Sequence, residues 1–367
     1  MDFPRSVDIF CRVIDNFGDI GVCWRLARQL SHEYHLSVRL FLDDCDALKQ
    51  IVPDAFDRSI PDLHIVLWDD ALSYGAAADI VIEGFACELP DSVIQAMVVR
   101  RKAGVGRPSV WVDLEYLTAE DWALGCHGLS SPHPSNGLKR TMFFPGFSKD
   151  SGGVIIENTL LRERNNFQRD VSSQNQWRTA YKLPQFDTNF IDVSLFCYEA
   201  APVSQLFEAF RRSKRPVRVF LPCLGGFGVE KSNNLEVYRI PFFSQDQYDR
   251  FLWSCDINFV RGEDSFVRAQ LAGRPMIWNI YVQEQQAHLL KLEAFLKQYC
   301  AVFSPKVREG LAQSFVLWNQ EGQTNGEGWC DLLDHLDLLK QGAQCWSQQL
   351  FDDGGLADRL LLYCKNL

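Results

Sequence analysis

The chain has 367 residues, a net charge of −10 and 47% hydrophobic residues. This length predicts two domains, and the acidity argues against nucleic-acid or anionic-membrane binding, which needs clustered Lys and Arg. No run of about 18 apolar residues occurs, so we expect no transmembrane helix. The first residues, Met-Asp-Phe-Pro-Arg-Ser-Val-Asp, do not have the layout of a signal peptide, so none is expected. Twelve cysteines without a Cys-x-x-Cys pair indicate reduced, mostly buried thiols in a cytoplasmic protein. The seven histidines show no metal-ligand spacing, so no zinc site is expected.

The first half alternates short apolar runs with helical patterns, as parallel sheets covered on both faces do. The predicted strands are 8–14, 36–42, 64–67, 79–82 and 109–112, and the predicted helices are 21–30 and 90–101. A polar stretch over 160–185 has no clear strand and is the expected domain boundary.

The second half repeats this scheme. The predicted strands are 190–198, 217–221, 236–239, 256–260 and 275–278, and the predicted helices include 202–212, 244–254, 284–295, 329–340 and 356–362. We therefore predict an α/β protein with two doubly wound, Rossmann-like domains facing a central cleft. The domains are 1–165, with the C-terminal helix of about 350–367 packed back on it, and 180–349.

The first predicted strand runs into the turn Asp15-Asn16-Phe17-Gly18, and a helix begins near Asp19. Open α/β sheets bind ligands at this end of a strand. The turn has one glycine and no Gly-Lys-Ser/Thr, so it is neither a dinucleotide fingerprint nor a P-loop. Asp15 and Asp19 are therefore expected to meet something other than phosphate. A purely structural role for Asp19, as a helix cap, stays open.

A second strand-to-helix turn carries Arg261, Glu263, Asp264 and Ser265. The amides of a helix start, with Arg261 and Ser265, suit a diphosphate. Glu263 and Asp264 would repel phosphate, so they should cap amides or accept hydrogen bonds from sugar hydroxyls. An ordinary helix cap at Asp264 or Ser265 fits the same pattern.

Two aromatic residues, Phe196 and Tyr198, stand two apart on one predicted strand and so face the same way. They suit the stacking of a nucleobase near the end of the strand, and they equally suit a hydrophobic core. Tyr248, in the helix before the next strand, is open to the same two interpretations.

Two long motifs carry a family resemblance. Residues 8–30 (DIFCRVIDNFGDIGVCWRLARQL) and 258–270 (NFVRGEDSFVRAQ) closely resemble the bacterial EarP family of protein-arginine rhamnosyltransferases, which modify translation elongation factor P. Residues 114–117 and 144–147 fit as well, and the resemblance covers essentially the whole chain.

The resemblance implies a GT-B fold and an inverting transfer of L-rhamnose from dTDP-β-L-rhamnose to an arginine of elongation factor P. The donor binds the second domain and the acceptor protein docks on the first. No metal and no other cofactor is expected, and neither nucleic acid nor membrane is a partner.

The resemblance also implies roles for single residues. Asp19 is the expected general base, with Asp15 beside it, and Glu263 is expected to be essential. The implied donor-binding residues are Asn16, Phe17, Gly18, Phe196, Tyr198, Gln245, Tyr248, Arg261, Asp264 and Ser265. Among them Arg261, Asp264 and Ser265 hold the diphosphate region, while Phe196 and Tyr198 flank the thymine with help from Gln245 and Tyr248.

Two other functions stay open at this point. One is a GT-B transferase with a different nucleotide-sugar donor or a small-molecule acceptor. The other is a non-catalytic module that docks onto a translation factor, which would have no need for carboxylates in both turns. A nicotinamide oxidoreductase is disfavoured because the chain lacks Gly-x-Gly-x-x-Gly.

Overall fold

The computed structural model divides the chain into two compact units. Unit 1 comprises Met1–Asn158 and Asp352–Leu367, and unit 2 comprises Thr159–Phe351. The structure describes residues 4–13, 18–53, 55–56, 60–104, 106–223, 226–283, 286–320 and 327–366. Each unit is built on its own, mostly parallel β-sheet.

Unit 1 has helices on both faces of its sheet. Its described strands are β1 (Ser6–Cys11), β2 (Ser37–Leu42), β3 (Leu63–Leu67), β4 (Ile80–Gly84), β5 (Val110–Leu114), β6 (Ser130–Pro132) and β7 (Lys139–Phe143). Its described helices are α1 (Gly18–His32), α2 (Cys45–Ile51), α3 (Asp91–Ala103), α4 (Asp121–Cys126) and, from the chain's end, α14 (Leu356–Asn366). The strand order is β3-β2-β1-β4-β5-β7-β6, and only the β6–β7 pair is antiparallel among these strands.

Both faces of this sheet are buried, which explains its apolar strands. Successive residues of a strand point to opposite faces. Ile9 of β1 packs in a cluster with residues of α1 and α14. Phe10 packs on the other side with residues of α3, and its ring stacks on Phe41 with centroids 4.3 Å apart.

Unit 2 follows the same plan. Its described strands are β8 (Ile191–Leu195), β9 (Val217–Pro222), β10 (Gly228–Ser232), β11 (Leu235–Ile240), β12 (Ile257–Arg261) and β13 (Met276–Asn279). Its described helices are α5 (Leu160–Arg169), α6 (Val171–Ala180), α7 (Val203–Arg211), α8 (Gln245–Ser254), α9 (Glu263–Leu271), α10 (Ala287–Tyr299), α11 (Pro305–Asn319), α12 (Glu327–Asp334) and α13 (Leu336–Asp353). The strand order is β10-β11-β9-β8-β12-β13, and only β10–β11 is antiparallel among them.

Aromatic stacking and a buried ion triad hold unit 2 together. Phe266 of α9 stacks on Trp278 of β13 with ring centroids 3.9 Å apart. Asp192 of β8 is buried between two arginines: Arg178 Nη2 lies 2.7 Å and Arg218 Nε 2.6 Å from its carboxylate oxygens. Both oxygens therefore have charged donors, as a buried carboxylate requires.

Several predicted boundaries differ from the observed ones. The predicted strand 8–14 ends at Cys11, and the predicted strand 190–198 ends at Leu195. The polar stretch expected to hold the domain boundary contains α5 and α6, and both belong to unit 2, which begins at Thr159. The predicted helix 329–340 is two helices, α12 and α13.

The twelve cysteines all lie in described residues, and all are free thiols. Cys345 is exposed and five others are only partly buried, so burial is less general than the apolar sequence context predicted. Within the described ranges, no helix is both long and apolar enough to cross a membrane.

Candidate active site

Three neighbouring parallel strands of unit 2, namely β8, β12 and β13, end at one edge of the sheet. The last residues of these strands are Leu195, Arg261 and Asn279. Ligands of open α/β sheets bind at this edge. The fold therefore brings Phe196 and Tyr198, which follow β8, next to Arg261 at the end of β12.

Arg261 lies against two aromatic rings. Its guanidinium carbon is 4.5 Å from the ring centroid of Phe196 and 4.7 Å from that of Tyr198. Such cation–π contacts favour the charge and limit the freedom of the side chain. The arginine is half-buried and permanently charged. It is thus a rigidly held positive charge at the ligand edge.

The prediction that Phe196 and Tyr198 share one strand is wrong. The Phe196 amide still donates to Phe259 O at 2.9 Å, but the Tyr198 amide donates to the side chain of Asn279 at 2.8 Å. The backbone has left the strand, so period-two alternation no longer orients Tyr198. The Arg261 guanidinium lies over both rings. This contact was not part of the prediction, in which the two rings flank the thymine.

Helix α9 begins directly after Arg261. Its N-cap is Gly262, with φ +67° and ψ 176°, a conformation that glycine adopts far more readily than other residues. Asp264 and Ser265 lie inside the helix, so the alternative that one of them is the N-cap is wrong. Gly262 itself has no side chain that could cap the helix. Glu263 is the first helical residue. The amides of this helix start can bind an anion.

Two of the predicted donor residues, Gln245 of α8 and Asp264 of α9, contact each other. Gln245 Nε2 donates to Asp264 Oδ2 at 3.0 Å, so this carboxylate faces α8. Burial raises the pKa of Tyr248 well above its ordinary value, while the hydroxyl of Ser265 acts in the opposite direction. Tyr248 therefore stays a neutral phenol, able to donate a hydrogen bond, across the physiological pH range.

A buried ion pair fixes the two helices to each other. Arg268 of α9 donates from Nε and Nη2 to the two oxygens of Asp249 of α8, at 2.8 and 2.6 Å. Bidentate pairs of this kind define geometry as well as contributing energy. The Gln245–Asp264 pair thus lies between helices of fixed register.

Sequence reasoning missed three residues at this edge. Phe242 packs edge-on against Phe196 with centroids 6.1 Å apart, and Tyr281 packs edge-on against Tyr198 at 5.7 Å. Asn279 binds the Tyr198 amide. Their signal was position: all three stand at or just after the end of a predicted strand.

In unit 1 the structure describes one of the two predicted carboxylates. Asp19 is the second residue of α1 and is buried, with 3% of its surface exposed. It therefore lies within the first turn and is not the N-cap. The helix dipole favours a negative charge here. Because water screens a buried charge weakly, Asp19 would act strongly on a cation beside it.

The rest of that turn has no structural description. Asp15, Asn16 and Phe17 lie outside the described residues, so their predicted roles stay predictions. Gly18 is the first residue of α1 and is buried.

The thiol of Cys11 lies close enough to Asp19 to be affected by its charge. The pKa of Cys11 is raised well above its ordinary value, first by a hydrogen bond with Cys23, then by burial and by the charges of Asp19 and Asp43. Cys11 consequently stays a neutral thiol and does not compete with Asp19 as a base.

No three His, Cys, Asp or Glu side chains group as metal ligands in the part of the chain that the structure describes. The positive charge at the ligand edge of unit 2 comes from Arg261 and the helix start of α9.

Comparison with known proteins decides the family. A family model described as "Elongation-Factor P (EF-P) rhamnosyltransferase EarP" matches residues 7–365. The chain belongs to the EarP family. A protein-arginine rhamnosyltransferase of Pseudomonas aeruginosa is 41% identical over 98% of both chains. One of Shewanella oneidensis is 36% identical over 98% of this chain and 97% of its own.

Solved structures agree with this membership. One, described as "Structural basis for EarP-mediated arginine glycosylation of translation elongation factor EF-P", is 30% identical with a TM-score of 0.68 and covers 98% of this chain and 99% of its own. Acinetobacter baumannii MurG, 13% identical with a TM-score of 0.50 over 99% and 100% of the two chains, shares the fold. The predicted family, glycosyltransferase class and GT-B fold of two Rossmann-like domains are confirmed.

Proposed function

We propose that this EarP-family enzyme transfers L-rhamnose from dTDP-β-L-rhamnose to an arginine side chain of translation elongation factor P, with inversion at the anomeric carbon. The family match supports the transfer, and the P. aeruginosa and S. oneidensis relatives are named for arginine as acceptor. The observation that carries the proposal is Arg261, held against Phe196 and Tyr198 at the start of α9.

The donor's nucleotide diphosphate is assigned to unit 2. Arg261 and the amides of the α9 start supply positive charge for the diphosphate, and Ser265 adds a hydroxyl. Asp264 Oδ2 accepts a hydrogen bond from Gln245 of α8, so one oxygen of this carboxylate is already engaged within the protein. The charge that develops on the leaving dTDP can be stabilised by these groups alone, so the proposal includes no metal.

Phe196 and Tyr198, with Phe242 packed edge-on against Phe196, are aromatic side chains of the kind that contact an aromatic base. In the proposal these rings therefore have two tasks. They hold Arg261 through cation–π contacts and flank the thymine, with Gln245 and Tyr248 as hydrogen-bonding partners of the nucleotide.

The acceptor arginine is assigned to unit 1. A guanidinium is a poor nucleophile because its lone pairs are delocalised and it stays protonated. Asp19, with Asp15 in the same turn, would bind the cation and orient one nitrogen. As that nitrogen bonds to the anomeric carbon, the carbon–oxygen bond to the diphosphate breaks, and the nitrogen's proton passes to Asp19.

Glu263 is proposed as the second essential carboxylate. It is the first residue of α9 and half-buried, so it stands beside the proposed diphosphate site without being sealed from it. A carboxylate here can stabilise the positive charge that the sugar ring gains in the transition state, as in glycoside chemistry.

The test is a transfer assay. The purified chain is incubated with dTDP-β-L-rhamnose and elongation factor P, and the factor's intact mass is read. An increase by one deoxyhexosyl residue, located on an arginine by fragmentation and lost when that arginine is replaced by lysine, supports the proposal. Arg261→Ala removes a charge-stabilising donor and should slow the transfer about 10²–10³-fold. Glu263→Gln removes the proposed negative charge beside the sugar ring and should also slow the transfer.

Other results separate the rival functions. Transfer only from a different nucleotide sugar, or only to a small molecule, would overturn the donor or the acceptor of the proposal. Stable binding of elongation factor P without any mass change from any donor would favour the non-catalytic docking module.

A further inference from the structure

The backbone of Tyr198 is held by a side chain from the neighbouring part of the sheet. Tyr198 follows β8, and its amide donates to Oδ1 of Asn279 at 2.8 Å. Asn279 ends β13 and is buried, with 7% of its surface exposed. Strand β12 lies between β8 and β13, so this bond spans the strand that ends in Arg261.

A second asparagine fixes the orientation of the first. Asn319, the last residue of α11, accepts at Oδ1 from Asn279 Nδ2 at 3.3 Å and from the Ile280 amide at 2.9 Å. Its own Nδ2 donates to Trp278 O at 2.8 Å and to Phe315 O at 2.9 Å.

Every hydrogen-bonding site of the Asn319 amide group therefore has a partner. Its oxygen can face only Asn279 Nδ2 and a backbone amide, because its nitrogen is committed to two carbonyls. This forces Asn279 to present nitrogen to Asn319 and oxygen to the Tyr198 amide.

We propose that Asn279, oriented by Asn319, is a positioning residue that holds Tyr198 against Arg261 and so fixes the charge that binds the donor diphosphate. The inference rests on the proposed donor site. Tyr198 is in a loop, and its ring contributes one of the two aromatic contacts to the guanidinium. Releasing its amide would let ring and guanidinium move apart without removing either group.

Calorimetric titration with dTDP tests this on the full chain. Asn279→Ala should raise the dissociation constant about five- to tenfold, as the loss of one buried hydrogen bond does. Asn319→Ala should act in the same direction by a smaller factor. The double variant should bind dTDP no more weakly than Asn279→Ala, because both changes act through one contact.

The matched control is Asn175 of α6, whose Oδ1 accepts from the Phe186 amide at 2.7 Å. Asn175→Ala removes the same kind of bond from the same unit, before β8 instead of after it. Asn175→Ala should lower the melting temperature about as much as Asn279→Ala does, and it should leave the affinity for dTDP unchanged.

The inference is wrong if folded Asn279→Ala has an unchanged dissociation constant for dTDP, or if Asn175→Ala raises that constant equally. It is also wrong if the double variant shows the sum of the two effects of Asn279→Ala and Asn319→Ala. If Asn279→Ala does not fold, Asn319→Ala decides, and unaltered affinity counts against the inference. A wild-type chain that does not bind dTDP at all would instead overturn the proposed donor.

Discussion

Asp19 combines a buried position with a helix start, and substitution separates its two possible roles. Asp19→Asn keeps the size of the side chain and an oxygen acceptor for the first turn of α1, but it removes the charge that would bind and deprotonate the acceptor. We expect transfer to be abolished, with the melting temperature and the affinity for dTDP nearly unchanged. Thermal melting, titration with dTDP and the mass assay measure the three quantities.

An aspartate that caps a helix through its side chain is available as a control in the same unit. Asp44 caps α2, accepting from the amides of Asp46 and Ala47 at 2.8 and 3.2 Å. Asp44→Ala should lose about 1 kcal/mol of stability and retain full transfer. If Asp19→Asn behaves in this way instead, Asp19 is a structural residue and the proposed base is wrong.

Substitution of Phe196 tests whether its ring belongs to the proposed donor site. Phe196→Ala removes one ring from the Arg261 guanidinium and one wall of the proposed base pocket. The loss of the cation–π contact alone is about 1 kcal/mol, so the dissociation constant for dTDP should rise roughly fivefold or more.

Phe190 provides the comparison, because the Arg218 guanidinium lies 4.6 Å from its ring centroid. Phe190→Ala removes an equivalent contact just before β8, whereas Phe196 follows that strand. It should destabilise the fold without changing the affinity for dTDP. Unchanged affinity in Phe196→Ala would remove Phe196 from the donor site.

The residues of the candidate site were predicted from the sequence more accurately than the contacts between their side chains. Arg261 and its helix start were predicted from the strand-to-helix pattern, which is local. The contact of Arg261 with two aromatic rings was not predicted, because it depends on residues about 65 positions earlier in the chain and on a backbone that leaves β8 before Tyr198. The Asn279–Asn319 pair has the same non-local origin.

Among the secondary-structure elements, the buried parallel strands were predicted best. Their apolar runs are long and end at polar turns. The edge strands β6 and β10 were missed, since both are exposed and polar and carry no apolar pattern. The parallel strand β7 was missed as well, and it begins with the polar residues Lys139 and Arg140. Helices α5 and α6 were not predicted, because their composition is mostly polar. Each buries only a narrow face, which includes Phe167 in α5 and Trp177 in α6.

Two helical glycines of unit 2 respond in opposite ways to the same substitution. Alanine favours a helix by about 1 kcal/mol over glycine. At Gly310 of α11 a new Cβ meets nothing within 4 Å, so Gly310→Ala should stabilise the protein. At Gly342 of α13 a Cβ would lie 2.6 Å from Phe303 Cγ, and Phe303 is buried. The resulting clash should exceed the gain, and Gly342→Ala should destabilise by about 1–3 kcal/mol.

Urea unfolding of both variants beside the wild type measures the two changes. Because the substitution is identical, the difference between the variants isolates the packing around Phe303 from helix propensity. A stabilised Gly342→Ala would mean that α13 does not pack on Phe303 as described.

In the whole molecule, unit 1 is formed from two separate segments of the chain, whereas unit 2 is formed from one continuous segment. Unit 1 takes its last helix, α14, from the far end of the sequence, and Leu356, Leu360 and Cys364 of that helix join the core that contains Ile9. The sequence analysis placed this helix on the first domain, although periodicity by itself predicts only a helix and does not specify which sheet it covers. The assignment depends on tertiary packing, which a local pattern does not contain.

The folded molecule also carries a pH dependence in unit 1. Asp113 of β5 and Glu83 of β4 are buried and share one half-exposed guanidinium, with Arg140 Nε 3.4 Å from Asp113 Oδ2 and Arg140 Nη1 3.6 Å from Glu83 Oε2. Burial, followed by the charge of Glu83, raises the pKa of Asp113 to about 7, while Arg140 opposes the shift.

A carboxyl group whose pKa is higher in the folded state than in the unfolded state binds its proton more tightly when folded. Its contribution to stability is therefore lost as the pH rises from about 4 to about 7, and changes little above that. Asp113→Asn keeps a neutral side chain at every pH. Its gain in stability over the wild type should be larger at pH 8 than at pH 5, by about 2–3 kcal/mol. Melting temperatures of both proteins at the two pH values measure this difference. An equal effect at both pH values would mean that Asp113 ionises normally, because Arg140 then outweighs both its burial and Glu83.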